Sequence, residues 1–403
     1  MLDVTGATPQ LARRINASAV LGVMRNSSVV TVSELIEATG LTRATAISVC
    51  EELLGRGWIR ELDTLRTAGG YQKGRPARRF ELEERAGFVL GIDVGAAKTT
   101  VVVADLRGDT VGKASLPFTS FDITSDERVG TIKLAVQQAL DDADTDASHV
   151  LAGTAGIAAP VDREGNILAS QQFWAQFDVG LKSAFQEQHG WTVQLENDAN
   201  LAALGERWRG AAAGVDDLVV ILSSERFGSG VMESGRLLHG TGGGAGEMAY
   251  LNIVEGVGST HGIAFLARNW AEEALKGKAK SLLRKKPDGG TSVEAEDVFA
   301  AARQGDKVAQ SILARLADRV ARIVGTASTL INPELVVLGG AVSGSVSAIV
   351  PTITALLPEY TATPPRLAAS TLGDRIVTVG AVRHALDYVE ANSLDLELAG
   401  ASS

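Results

Sequence analysis

Thr42, Arg43, Thr45 and Ser48 stand close together in the stretch Thr42-Arg43-Ala44-Thr45-Ala46-Ile47-Ser48. On a helix they crowd the N-terminal turn, the end a recognition helix presents to the major groove. There a guanidinium can bond a guanine edge and short hydroxyls can take phosphate oxygens. Further on, the run Lys73-Gly74-Arg75-Pro76-Ala77-Arg78-Arg79 is basic, thin and extended. Its Gly-Arg-Pro centre suits entry of Arg75 into a narrow A·T-rich minor groove, with Lys73, Arg78 and Arg79 beside it. A solvated basic linker is the alternative for residues 73–79. Their place directly after a helix-turn-helix favours the DNA reading.

These groups need a frame. Leu11, Ile15, Val20, Leu21 and Met24 fit one face of a first helix, and a second helix is predicted from about Ser33 to Gly40. Ile47, Cys50, Leu53 and Leu54 supply the buried face of a third. Helix, glycine turn and helix have the spacing of a helix-turn-helix, with an ordinary helical hairpin as the alternative. Gly57–Leu62 and Arg79–Leu82 can then pair as a wing whose tip runs from Leu65 to Arg78. Cys50 is the single cysteine, so it reads as a small core residue, and a disulfide or multi-cysteine zinc site within one chain is excluded.

Charge agrees with this placement. The 403-residue chain carries a formal charge of -10, which argues against coating nucleic acid with its whole surface. Residues 1–85 nevertheless hold 12 Lys and Arg against 10 Asp and Glu, leaving 26 against 38 for the remainder. No apolar signal segment follows the start and no run of eighteen apolar residues occurs. The expected location is the cytoplasm, with no membrane partner.

The rest of the chain carries a second set of motifs. Phe88 to Asp105 reads as two apolar strands around a small-residue turn holding Asp93 and Gly95. Gly153-Thr-Ala-Gly156-Ile-Ala-Ala-Pro160 follows, then Glu196-Asn197-Asp198-Ala-Asn200, Gly228-Ser-Gly230, Gly246-Glu247-Met-Ala-Tyr250 and Asn332-Pro333-Glu334 leading to Gly339-Gly340. In order and spacing these blocks resemble the ROK family of repressors, open reading frames and kinases. With the N-terminal segment the resemblance spans nearly the whole chain.

The resemblance implies an N-terminal all-α/winged helix-turn-helix domain plus a two-lobed α/β actin-like (ribonuclease H-like) sugar-kinase fold. Its expected divisions are residues 1–85 for DNA, 86–200 for a first lobe completed by a C-terminal helix at 380–395, and 201–379 for a second lobe with oligomerisation. It implies a sugar cleft near Asn197, Asp198, Glu247 and Tyr250, with Trp174 close by. Asp198 occupies the position of the kinase base.

The same comparison marks losses. The first phosphate loop, Asp-x-Gly-Gly-Thr in catalytic members, is Asp93-Val94-Gly95-Ala96-Ala97 here. The second, Gly-Thr-Gly-Ile-Gly, aligns with Ser224-Glu225-Arg226-Phe227-Gly228, where Glu225 would repel ATP and Arg226 would occupy its space. The zinc cysteines are absent, Tyr250 stands at the histidine position, and His261 alone cannot make a tetrahedral site. His149, His189, His239 and His384 read as surface or packing residues. The expectation is a transcriptional repressor of carbohydrate genes without kinase activity, cofactor or metal. It would bind an inverted-repeat operator in double-stranded DNA as a homodimer or homotetramer, controlled by a sugar or sugar phosphate. An ATP-dependent sugar kinase with a DNA-binding appendage, or a scaffold without a small ligand, are the alternatives.

Overall fold

The computed structural model describes residues 8–63, 77–120, 122–168, 172–248, 251–277, 280–284, 293–340 and 343–399. The N-terminal unit is built from α1 (Pro9–Arg25), β1 (Val30–Thr31), α2 (Val32–Thr39), α3 (Arg43–Gly55), β2 (Ile59–Leu62) and β3 (Arg79–Leu82). Each helix start is chemically marked. Thr8 caps α1 ahead of Pro9, Thr31 and Glu34 form a reciprocal capping box on α2, and Thr42 caps α3. Gly40, at φ +69°, ends α2 in the left-handed conformation that turns the chain into α3.

Three details differ from the periodicity reading. Leu11 and Ile15 are 47% and 55% exposed, because the first turns of α1 overhang the bundle and its buried stripe begins at Ala17. The buried face of α3 is Ala46, Val49, Cys50 and Leu53, with Ile47 and Leu54 only partly covered. The wing strands pair as expected, Leu62 opposite Arg79, but β1 adds a third strand on the far side of β3. The tip, with Lys73 and Arg75, lies outside the described residues.

Next come β4 (Phe88–Val94), β5 (Lys98–Asp105), β6 (Thr110–Pro117), α4 (Ser125–Asp142), β7 (Val150–Ile157), α5 (Gln172–Ala175), α6 (Leu181–His189), β8 (Thr192–Asn197) and α7 (Asp198–Arg209). The last part holds β9 (Leu218–Leu222), β10 (Gly228–Glu233), β11 (Arg236–Leu237), α8 (Ile263–Lys276), α9 (Ala295–Arg303), α10 (Lys307–Ile331), β12 (Leu335–Gly339), α11 (Ser343–Val346), α12 (Val350–Leu356), β13 (Arg366–Ala369) and α13 (Ile376–Asn392). The final helix therefore starts before residue 380 and ends before 395.

The strands form two sheets of one plan, β6-β5-β4-β7-β8 and β11-β10-β9-β12-β13. In each, an antiparallel meander of three strands is extended by two parallel ones. This duplicated order is the actin-like sugar-kinase fold.

Both sheets are covered on both faces, so their central strands are apolar throughout, with neighbours facing opposite ways. Leu90, Ile92, Val101 and Val103 face α4 and α6, while Val89, Val102 and Ala104 face α13. In the second sheet Val219 and Ile221 face α8 to α10, whereas Leu218 and Val220 face α7 and α13. Helices α7 and α13 are thus the shared middle layer. They meet at small residues: a Cβ at Gly380 would lie 1.7 Å from the Leu201 carbonyl oxygen, and one at Gly205 would lie 2.7 Å from that of Ile376. The N-terminal unit continues the same packing, since Val20, Leu21 and Leu53 share one core with Val382, Leu386 and Val389 of α13.

Candidate functional site

The C-terminal end of β8 runs directly into α7, and the residues at that junction open into a cleft. Asn197 is the N-cap, its Oδ1 accepting from Ala199 N at 2.9 Å and Asn200 N at 3.1 Å. Its Nδ2 donates to the Ala159 carbonyl at 3.1 Å, which leaves one amide hydrogen for a ligand. Asp198 follows, with Oδ1 accepting from Ala199 N at 2.8 Å. Phe173 and Trp174 from α5, Arg226, Phe227 and Glu247 complete the wall of that cleft.

Glu247 is placed by the glycine before it. Gly246 has φ +82°, and a Cβ there would sit 2.4 Å from the Ser229 carbonyl. That close approach lets Ser229 Oγ donate to the Gly246 carbonyl at 2.6 Å and tie the loop to β10.

The electrostatics are those of crowded carboxyls. Burial, reinforced by the nearby Asp93 and Glu247 carboxylates, lifts Asp198 from 3.8 to about 8. Burial likewise lifts Asp93, at the end of β4, to about 6. Glu247 is raised by burial, with Arg226 opposing. A protonated carboxyl can donate to a sugar hydroxyl as well as accept from one.

Two partners beneath this site escaped the sequence reading. Glu196 Oε1 accepts from Asn197 N at 2.8 Å and Asn200 Nδ2 at 2.9 Å, and its Oε2 meets His239 Nε2 at 2.8 Å. His239 is therefore not a surface residue: the bond to Glu196 raises its pKa despite burial. Glu196 was visible as the neighbour of Asn197, and His239 lies 43 positions away, so no local pattern joins them. His384, with Nδ1 3.1 Å from Thr154 Oγ1, is a packing residue whose pKa burial lowers. Asp93 and Phe173 belong to the same surroundings as Asp198 and were also missing from the expected ligand set.

The turn aligned with the second phosphate loop takes a different form from the one expected. Glu225 is bound by Arg268 at 2.8 Å, so its charge is largely offset. Arg226 points its guanidinium over the Phe173 ring, 4.6 Å from the centroid, in the same cleft as Asp198. His261 stacks on Phe265 at 4.0 Å. Among the described residues no group of three or more His, Cys, Asp or Glu is arranged to hold a metal ion. Tyr250 lies outside them.

At the other end of the molecule Arg43 and Ser48 are exposed on α3. Thr42 and Thr45 are committed to the cap, with their hydroxyls 2.8 Å apart. Arg78 is held by Glu61 at 2.8 Å and Glu51 at 3.2 Å, so within the described residues it braces the wing against α3. Arg79 begins β3 half-buried. Among the described residues no helix is long and apolar enough to cross a membrane.

A duplicated fold with an acidic cleft between its lobes defines a protein of the actin-like sugar-kinase class. The ROK family model matches residues 89–387, and the chain belongs to that family. It is 24% identical over 349 residues to the xylose repressor of Caldicellulosiruptor bescii, covering 83% of this chain and 84% of the relative. It is 32% identical over 268 residues to the glucokinase of Thermotoga maritima, covering 63% of this chain and 82% of that enzyme. The crystal structure of a ROK family transcriptional regulator, a homologue of the E. coli MLC protein, superposes with a TM-score of 0.78 at 20% identity. That match covers 95% of this chain and 98% of the other.

Proposed function

We propose that this protein is a sugar-responsive transcriptional repressor. Residues 1–85 act as a winged helix-turn-helix, with α3 entering the major groove and the wing tip carrying Lys73 and Arg75 to the minor groove. Residues 86–200 with the last helix, and 201–379, act as two lobes that close on a sugar or sugar phosphate held by Asn197, Asp198, Glu247 and Tyr250. The chain works as a homodimer or homotetramer on an inverted repeat in the cytoplasm, and represses carbohydrate genes without phosphorylating the sugar.

One observation carries the reading. The exposed turn with Arg43 and Ser48 belongs to a unit whose own core runs into α13, the helix lying under the cleft. A DNA-reading surface and a ligand cavity are thereby joined through packed side chains. The repressor from Caldicellulosiruptor bescii, similar over 349 residues, supports the same conclusion. Fluorescence anisotropy of labelled DNA from the gene's own upstream region, at fixed salt, tests it with D-xylose, D-glucose and their phosphates. Specific binding released by one of them supports the reading, and absence of specific binding refutes it.

A second reading keeps catalysis. The Asp198 carboxyl near 8 suits a general base, and the Thermotoga maritima relative is a glucokinase. Sugar-dependent ADP release from ATP in a coupled assay would establish it.

A further inference from the structure

Arg209, the last residue of α7, reaches across to the turn between β5 and β6. Its Nη1 donates to the Gly108 carbonyl at 2.8 Å and to Asp109 Oδ1 at 2.9 Å, and its Nη2 donates to the Arg107 carbonyl at 3.0 Å. The guanidinium lies 4.2 Å over the Trp208 ring. From that turn the Arg107 side chain continues to the N-terminal unit. Its Nη1 is 2.8 Å from the Ser27 carbonyl, 3.3 Å from that of Arg25 and 3.4 Å from that of Met24, around the C-terminal end of α1. Cations at a helix C-terminus are held there by the dipole as well as by the bonds.

We infer that the Arg209–Arg107 double clamp transmits the state of the cleft to the DNA-binding unit. The inference rests on the sugar-responsive reading and assigns its route. Helix α7 begins in the cleft at Asp198 and ends at Arg209, a rod of roughly 18 Å. It packs on β9 and β10 and so travels with the second lobe, whereas the clamped turn belongs to the first. Between α7 and α13 lies the Gly205–Gly380 contact, where backbone meets backbone, flanked by the short apolar side chains Ala202 and Ala381. Such a smooth boundary lets packed helices shear by small steps.

The clamp converts that shear into rotation because α1 has a second anchor. Arg25 Nη1 binds Glu390 Oε1 of α13 at 2.6 Å, with both side chains mostly buried. One anchor is fixed on α13, and the other sits on a hairpin turn whose carbonyls Arg209 grips and draws with it as α7 moves. When α7 advances on α13, the two holds on the end of α1 move relative to each other and α1 must pivot. Helix α3 is packed on α1 and pivots with it.

A merely structural clamp would affect stability but leave the sugar response intact, so the test reads the ratio of operator Kd with and without sugar. Full-length wild type, Arg209→Ala and Arg107→Ala are compared by anisotropy, using D-xylose, D-glucose and their phosphates. Thermal stabilisation by the same sugars reports cleft occupancy. Wild type is expected to lose operator affinity by about tenfold or more with the active sugar. Both variants are expected to bind that sugar and the free operator as wild type does, with the ratio reduced to within about twofold of one. Asp109→Asn, which leaves the carbonyl fork in place, is expected to keep the wild-type ratio. If either alanine variant unfolds, Arg209→Lys and Arg107→Lys replace it, since a single ammonium cannot span the carbonyls and the same loss is expected. Variants that occupy the cleft and still release DNA tenfold overturn the clamp while leaving the repressor reading standing. A wild type that binds its operator but responds to no sugar overturns the sugar-responsive reading, and the clamp with it.

Discussion

Replacing Asp198 by asparagine should stabilise the ligand-free protein, and by more as the pH rises. The folded carboxyl is displaced from 3.8 to about 8, chiefly by burial and then by the Asp93 carboxylate. A carboxyl raised on folding contributes stability that is fully present below its unfolded pKa and is lost as pH rises through its folded one. For Asp198 that window runs from about pH 4 to pH 8. At about 1.36 kcal/mol per pH unit the ceiling on the loss is roughly 5 to 6 kcal/mol. The cleft is open to solvent on one side, so about 2 to 3 kcal/mol is the working figure. The Asp198→Asn side chain has the same shape and its Oδ1 can still accept from Ala199 N, so no bond to α7 is lost. Spread over a cooperative unit of about 300 residues, the gain is roughly 3 to 5 °C in Tm at pH 8. It should shrink to nearly nothing by pH 4.5. Differential scanning fluorimetry of both proteins from pH 4.5 to 8.5 measures it. A gap in Tm that stays constant across that range would refute the assignment of a buried, displaced carboxyl at the head of α7.

Other residues give equally definite expectations. Arg43→Ala should weaken operator binding by about 1 to 3 kcal/mol with little change in Tm, read by anisotropy and scanning fluorimetry together, since Arg43 is exposed. Gly380→Ala should destabilise by more than about 3 kcal/mol in chemical denaturation, because its Cβ would lie 1.7 Å from the Leu201 carbonyl oxygen, a backbone atom that cannot step aside. His239→Ala removes a group whose pKa the Glu196 bond raises. The stability His239 supplies is full below its unfolded pKa of about 6.5 and is lost as pH rises through the folded one, so the Tm deficit of the variant should be largest near pH 5 to 6 and smaller at pH 8.

The helices and wing of the N-terminal unit were legible from apolar periodicity, from Gly40 at the turn between two helices, and from alternation in Arg79-Phe80-Glu81-Leu82. What was not legible depends on distant neighbours. Periodicity assigns Leu11 to the core, but only the extent of the bundle decides that the first turns of α1 stand clear of it. Arg78 reads as one basic residue among several until Glu61 and Glu51 are folded against it. The block Asn197-Asp198 marks the cleft, and the fold brings to it Asp93 from another strand and, through Glu196, His239 from another loop. Two-residue β1 is too short for any pattern and exists because β3 offers it a free edge.

On the proposed reading, switching also has an energetic requirement. To move a repressor from mostly bound to mostly free, a sugar must prefer one arrangement of the lobes by roughly 3 to 5 kcal/mol. Hydrogen bonds to charged or shared-proton carboxyls contribute about 1.5 to 3 kcal/mol each. Asn197 ends β8 of the first sheet and is tied there to the Ala159 carbonyl, whereas Glu247 is tied through Gly246 to β10 of the second. A sugar that bonds both must draw the lobes together, and one that reaches only one of them gains the same energy open or closed. The preference therefore comes from the division of the site between the lobes and owes nothing to a phosphate loop. On that reading a chain with Ser224-Glu225-Arg226 in that loop can still close.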